Sequence, residues 1–127
     1  MPLVRIALRK GTKPEFRRAL ADSVHRAMVE TIGIPEQDKF QILTEHDEAS
    51  LLYDPSYLGI SRSDGVVLIQ ITLNAGRSVE VRKALFARIA ARLGESPGIR
   101  PEDVFINLVE TQKENWSFGN GLAQYAT

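Results

Sequence analysis

The sequence predicts an α/β (α+β) fold made of duplicated β-α-β units, a four-stranded mixed sheet with two helices on one face. Three observations predict it. Short apolar runs of strand character alternate with longer runs at helical spacing. Gly33-Ile34-Pro35-Glu36-Gln37-Asp38-Lys39-Phe40 resembles Gly98-Ile99-Arg100-Pro101-Glu102-Asp103-Val104-Phe105, each lying after a helix pattern and before a strand pattern. The length, 127 residues, suits one substantial core and not two. The expectation is therefore a single domain over residues 1–127, with pseudo-repeats at about 2–46 and 65–110 and a C-terminal aromatic segment at 114–127.

Leu3 to Leu8 reads as the first strand, with Leu3, Val4, Ile6 and Leu8 apolar and Arg5 and Arg9 facing outward. Thr12-Lys13-Pro14-Glu15 has the pattern of a capping box with proline in the first turn. Phe16, Leu20, Val24, Ala27, Met28 and Ile32 then follow at helical spacing until Gly33 stops the helix. Phe40 to Thr44 is the second strand, and a helix joining two strands in this way makes them parallel. Glu45 to Asp64 has no sustained period and reads as a long excursion serving a local element, a site or an interface. Val66 to Leu73 is the strongest strand, apolar on both faces and β-branched, and should be central and buried. Ser78 caps a second helix carrying Val79, Arg82, Phe86, Ile89, Ala90 and Leu93 on one stripe. Gly94 ends it, and Val104 to Val109 supplies the fourth strand. Two helices cover only one sheet face, so the other face should be buried against further copies of the chain in a symmetric homo-oligomer.

Composition narrows the function classes. Sixteen basic residues balance sixteen acidic ones, so no overall field draws the protein to nucleic acid or to an anionic membrane. The absence of cysteine removes disulfides, thiol nucleophiles and cysteine-ligated metals, and fits a cytoplasmic setting. His25 and His46 lack metal-site spacing and read as packing or surface residues, so no metal is expected. The chain shows no apolar run of membrane-spanning length and no secretory leader.

The residue with the most chemical promise is Pro2. Removal of Met1 would leave a secondary amine as the N-terminus, and an α-amino group, with a reference pKa of about 7.7 to 8.0, can serve as acid, base or nucleophile near neutrality. The counterpart of Pro2 in the second half falls near Gly65 to Val67, inside the chain, so only the first half can carry such a catalyst. Asp38 has a repeat partner in Asp103, which leaves a turn-forming role open beside a catalytic one. Arg77 follows Gly76 and precedes a helix, a setting suited to anion binding. Trp116 to Tyr125 mixes glycines with aromatics and suits either a pocket wall or a subunit interface.

A duplicated β-α-β chain opening Met-Pro resembles the tautomerase superfamily, whose members use an N-terminal proline. Pro35-Glu36-Gln37-Asp38-Lys39-Phe40-Gln41-Ile42-Leu43-Thr44-Glu45-His46 and Asn115-Trp116-Ser117-Phe118-Gly119-Asn120-Gly121-Leu122-Ala123-Gln124-Tyr125 are similar to the malonate semialdehyde decarboxylase branch. The resemblance implies a homotrimer and a catalytic amine at Pro2, an acidic partner at Asp38 and a carboxylate-binding Arg77, with Trp116, Phe118 and Tyr125 as an aromatic wall. Some decarboxylases of this kind carry two closely spaced arginines after the central strand. Here there is one, with Asn74 near the place of the other. The implied reaction is cofactor-independent decarboxylation of malonate semialdehyde to acetaldehyde. Keto-enol tautomerisation, hydration or dehalogenation of 2-oxo or unsaturated acids stand as alternatives, as does a non-catalytic binding protein of the same fold.

Overall fold

A computed structural model describes residues 2–126. Met1, whose removal would expose the Pro2 amine, and Thr127, the end of the aromatic segment, lie outside the described residues. The elements run β1 (Leu3–Arg9), α1 (Pro14–Ile32), β2 (Gln41–His46), β3 (Val67–Asn74), α2 (Val79–Glu95) and β4 (Val104–Thr111). They form one four-stranded sheet in the order β2-β1-β3-β4. The outer pairs are parallel and the central pair, β1 with β3, is antiparallel, which makes the sheet mixed as expected.

The core lies between one sheet face and the helices. Val4, Ile6 and Leu8 of β1 and Val67, Ile69, Ile71 and Leu73 of β3 point into it at the strand period of two. Leu20, Val24 and Met28 of α1 meet Leu85, Ile89 and Leu93 of α2 at the helical period, all but removed from solvent. A single offset, the one that takes Gly33 to Gly98, superposes these positions: Leu20 on Leu85, Val24 on Ile89, Met28 on Leu93, and the buried Ile34 on Ile99. Backbone conformation follows the same offset, because Gly11 and Gly76 both take positive φ, as do Gly33 and Gly98. So do the hydrogen bonds that leave β2 and β4, Lys10 N–H to the His46 carbonyl (2.8 Å) and Ala75 N–H to the Thr111 carbonyl (2.9 Å).

Several local expectations need correction. Thr12 does not cap α1: the N-cap is Lys13, with no side-chain cap bond, and the Thr12 hydroxyl donates to Glu45 across the loop at 2.9 Å. Gly94 does not end α2, which runs to Glu95 before Ser96 takes extended backbone. Ser78 does cap α2, accepting from Val81 N–H at 3.2 Å. β2 starts one residue later and runs two residues further than expected, leaving Phe40 before the strand and exposed. β3 is not apolar on both faces. Its outer face carries Gln70, exposed and hydrogen-bonded to Asn107 of β4 at 3.0 Å. Ile42, Phe105 and Val109 are exposed, and Ile42 and Phe105 help line a shallow cavity of about 390 Å³ on that open sheet face. Arg9 faces away from the core, as expected, but is covered there: its guanidinium packs 5.5 Å from the Tyr53 ring and donates to Asp64 and to the Leu51 carbonyl.

The excursion between β2 and β3 holds one short helical turn, Tyr57–Gly59. Its frame is polar. Arg62 donates to the carbonyls of Asp54, Tyr57 and Ile60, and Tyr53 donates to Asp64. The repeat offset carries this excursion onto the C-terminal segment. The Asp47 turn closed by Ser50 N–H (3.1 Å) matches the Gln112 turn closed by Asn115 N–H (3.0 Å), and Tyr53 matches Phe118. No helix of the described residues is long and apolar enough to cross a membrane.

The two helices are also clasped at their surface, where Glu30 accepts from Arg88 and Arg92. The hydrogen bonds from these two arginines hold the Glu30 carboxyl down at about 2, so its stabilising effect is present above the ordinary value of 4.5 and is lost as pH falls toward 2. Urea unfolding followed from pH 6 to pH 2 should show a steeper acid loss in the wild type than in Glu30→Gln. A core test is simpler: Leu85→Ala should cost about 2–5 kcal/mol in the same assay at neutral pH.

Candidate active site

Pro2 is buried at the entry to β1. Leu3 pairs with Thr72 in the antiparallel ladder, so one further step sets Pro2 opposite Leu73, beside Asn74. On the other flank Val4 pairs with Gln41 and donates to the Phe40 carbonyl at 3.0 Å, so the parallel register sets Pro2 beside Lys39, one residue from Asp38. The topology thus brings Pro2, the Asp38 turn and the end of β3 to one end of the sheet.

From that end of β3 the chain turns through Ala75 and Gly76 into Arg77. Gly76 has φ of 119°, a backbone state that L side chains rarely adopt. The turn points Arg77 back across the strand end, and its Nη1 donates to the Asn74 carbonyl at 3.0 Å. Asn74 is buried. With Lys113 and Tyr125, these residues line an open cleft of about 490 Å³. Among the described residues no carboxylate lies within ion-pair distance of Arg77 or Lys113. Elsewhere on the surface arginines are routinely paired, as Arg26 is with Glu36 and Arg82 with Glu110. Two such cations give the cleft a positive field, favourable to a negatively charged group.

The aromatic residues form one cluster beside this cleft. Trp116 stacks on Phe118 with ring centroids 5.5 Å apart, and Phe118 meets the edge of Tyr125 at 4.9 Å. The Trp116 indole N–H donates to Thr111 Oγ1 at 2.9 Å, and Thr111 pairs with Asn74 across the β3–β4 ladder. Of the predicted site residues, Asn74, Arg77 and Tyr125 line the cleft itself. Pro2, Asp38, Trp116 and Phe118 are not among its lining residues. Lys113 is the residue that sequence reading missed. The signal was there in the repeat offset, which places Lys113 against Glu48, a reversal of charge.

The same offset builds a counterpart cleft of about 590 Å³ at the opposite end of the β1–β3 pair, where Arg9, Gly11, Thr12 and Glu48 take the places of Asn74, Gly76, Arg77 and Lys113. Its lining mixes charges of both signs, Arg9 and Lys10 with Asp47, Glu48 and Asp64. Arg9 is paired with Asp64 at 3.2 Å, and Thr12 and Arg17 both hold Glu45. Where the sheet end near the first cleft has Pro2 at the entry to β1, the equivalent position here is Val67, the first residue of β3, within the continuous chain. The aspartates differ likewise. Asp103 is 3% exposed and spends both oxygens on Ser63, accepting from its N–H at 2.7 Å and its hydroxyl at 2.6 Å, with Arg100 nearby. Its role is structural. Asp38, in the equivalent turn, is only half-buried.

A twice-repeated β-α-β unit with a buried proline at the entry to β1 and a cationic cleft at the same sheet end defines a class. Two family models, both described as tautomerase enzyme, match residues 2–61 and 38–119. The probable tautomerase YusQ of Bacillus subtilis (strain 168) is 43% identical over 98% of each chain. The probable tautomerase YrdN of the same organism is 33% identical over 100% of this chain and 98% of its own. Among solved structures, FG41 malonate semialdehyde decarboxylase inhibited by 3-bromopropiolate is 44% identical, with a TM-score of 0.91 over 97% of this chain and 93% of that one. A second malonate semialdehyde decarboxylase, described with both decarboxylase and hydratase activities, is 32% identical with a TM-score of 0.92 over 97% and 95%. A fused 4-OT symmetric trimer is 27% identical with a TM-score of 0.79 over 98% of each chain. The chain belongs to the tautomerase superfamily, in its malonate semialdehyde decarboxylase-like branch.

The contrast between the two aspartates is measurable as stability. Asp103→Ala strands the Ser63 N–H and hydroxyl and should cost about 1–3 kcal/mol in urea unfolding, with no change at the Arg77 cleft.

Proposed function

We propose that this protein is a cofactor-independent lyase that decarboxylates a small 3-oxo acid, with malonate semialdehyde as the first substrate and acetaldehyde as product. The observation that carries the reading is the Arg77 cleft, cationic and without an acidic partner among the described residues, at the sheet end where the chain enters at Pro2. Identity of 44% to a malonate semialdehyde decarboxylase over nearly the whole chain supports the choice of reaction.

Loss of carbon dioxide leaves the electron pair of the breaking C–C bond on the adjoining carbon, and the aldehyde carbonyl takes it up as an enolate. In this proposal Arg77 grips the carboxylate and turns the breaking bond parallel to the carbonyl π system. Protonated Pro2 donates to the aldehyde oxygen, where negative charge grows. Asp38 holds Pro2 in its charged form. A proton delivered to carbon then gives acetaldehyde, so one substrate anion and one proton yield acetaldehyde and carbon dioxide. A neutral Pro2 could instead attack the aldehyde and use the iminium as electron sink. The aromatic cluster of Trp116, Phe118 and Tyr125 closes one side of the site against water.

A second reading is keto-enol tautomerisation of a 2-oxo acid with neutral Pro2 as general base. The relatives named as probable tautomerases favour it. Both readings place the protein as a homotrimer acting on a small oxo acid. The exposed Ile42, Phe105 and Val109 on the open sheet face support further copies as its cover, and fused 4-OT neighbours are described as trimers.

With Met1 removed and the mass verified, the protein should release acetaldehyde from malonate semialdehyde. Pro2→Ala and Arg77→Ala should each lower kcat/KM by about 10²–10⁴-fold. Wild-type rates in both variants would remove Pro2 and Arg77 from the mechanism. Turnover of phenylpyruvate enols without acetaldehyde release would select the tautomerase reading.

A further inference from the structure

Outside the site, the buried titratable side chain with no role yet is His25, on α1, with 7% of its surface exposed. Its Nε2 lies 2.7 Å from the backbone carbonyl of Glu36, in the turn that carries Asp38. A carbonyl can only accept, so Nε2 bears the proton and donates. Nδ1 is buried and has no hydrogen-bond partner among the described residues. Burying a ring nitrogen without a partner is unfavourable, and a helix position facing a core is more cheaply filled by an apolar residue.

The duplicated unit supplies an internal control. The turn closes identically in both copies, Asp38 N–H on the Pro35 carbonyl at 3.1 Å and Asp103 N–H on the Arg100 carbonyl at 3.0 Å, so the turn itself does not need a histidine. The repeat offset takes His25 to Ala90, Arg26 to Ala91 and Asp22 to Ala87. In the second copy the aspartate anchors its own turn, with Asp103 spent on Ser63. In the first copy the anchor comes from the helix instead. His25 holds Glu36, Arg26 pairs with the Glu36 side chain at 2.8 Å, and Lys39 pairs with Asp22 at 2.9 Å. The two ion pairs are substantially exposed and hold little. The bond from the buried His25 ring is made to the backbone itself, at the Glu36 carbonyl.

We propose that His25 is a positioning residue: by holding the Glu36 carbonyl against α1 it sets Asp38 at the Pro2 end of the sheet without engaging the Asp38 carboxylate. The inference rests on the role given to Asp38 above. Its test is a double-mutant cycle on the Met1-free protein, with His25→Leu, His25→Gln and Asp38→Asn. His25→Leu should lower kcat by about tenfold with little change in KM, because a displaced catalytic group costs rate more than binding. His25→Gln, whose amide can donate to the same carbonyl, should recover most of the loss. In the Asp38→Asn background His25→Leu should cost less than about twofold further, since the two act as one unit. A full tenfold loss in that background, or unchanged kcat in His25→Leu, would overturn the proposal.

If the wild type turns over no oxo acid, the functional reading fails, and the positioning claim is then read from amide hydrogen exchange. Asp38 and Lys39 amides, both hydrogen-bonded in the turn, should exchange faster in His25→Leu than in His25→Gln. Equal exchange in the two variants would overturn it, and the same measurement serves should His25→Leu prove too unstable for kinetics.

Discussion

The antiparallel pairing of β1 with β3 is the contact on which the rest of the structure depends. It joins the two β-α-β units through the middle of the sheet, in a register that sets Ile6 opposite Ile69 and Leu3 opposite Thr72. Ile6 and Ile69 are both buried and sit at the heart of the core. A slip of one residue would turn the apolar face of the slipped strand out of the core, so hydrophobic burial fixes the register. That register also decides where chemistry can occur. It sets the entry of β1 at the exit of β3, bringing Pro2 next to Asn74 and the Arg77 turn. The site therefore follows from the same packing that holds the fold.

Duplication produces two equivalent sheet ends, and divergence has made them electrically different. Around Thr12 charges of both signs meet: Asp64 takes Arg9, Glu45 takes Thr12 and Arg17, and Lys10 lines the cleft with Asp47 and Glu48. Around Arg77 acidic partners are absent among the described residues, and Lys113 stands at the position that matches Glu48. The counterpart cleft is the larger of the two, so size does not distinguish them. Charge balance does, since a ligand carboxylate meets the resident carboxylates of Asp47, Glu48 and Asp64 at one end and a lining with Arg77, Lys113 and no Asp or Glu among the described residues at the other. The aspartates follow the same division of labour, with Asp103 committed to Ser63 and Asp38 held by its backbone through His25.

Much of this was legible in the sequence. The alternation of β1 and the helical stripe of α1 depend on burial, which side-chain type reports directly, and Gly33 and Ser78 mark helix boundaries because backbone chirality and orphan N–H groups demand such residues. Thr12 and Gly94 misled because capping and termination are decided by what stands nearby: Glu45 competes for the Thr12 hydroxyl, and α2 runs through Gly94 to Glu95. The open face of β3 reads as apolar by composition, yet Gln70 finds Asn107 on the neighbouring strand, a pairing that only the register reveals. Arg77 was visible through its neighbour Gly76, but Lys113 is far away in sequence and reaches the cleft only because the C-terminal segment repeats the course of the excursion after β2. His25 reads as a packing residue from its place on the helix. Its bond to Glu36 becomes visible only when the turn is folded back onto α1.

The central claim is that the two ends of the sheet are functionally unequal, and that a small carboxylate binds only where Pro2 enters. A crystal structure of the Met1-free protein grown with malonate, a non-reactive carboxylate, tests it most directly. The account predicts density between Arg77 and Pro2 and none in the counterpart cleft at Thr12. Malonate at Thr12, or equal occupancy of both clefts, would contradict it.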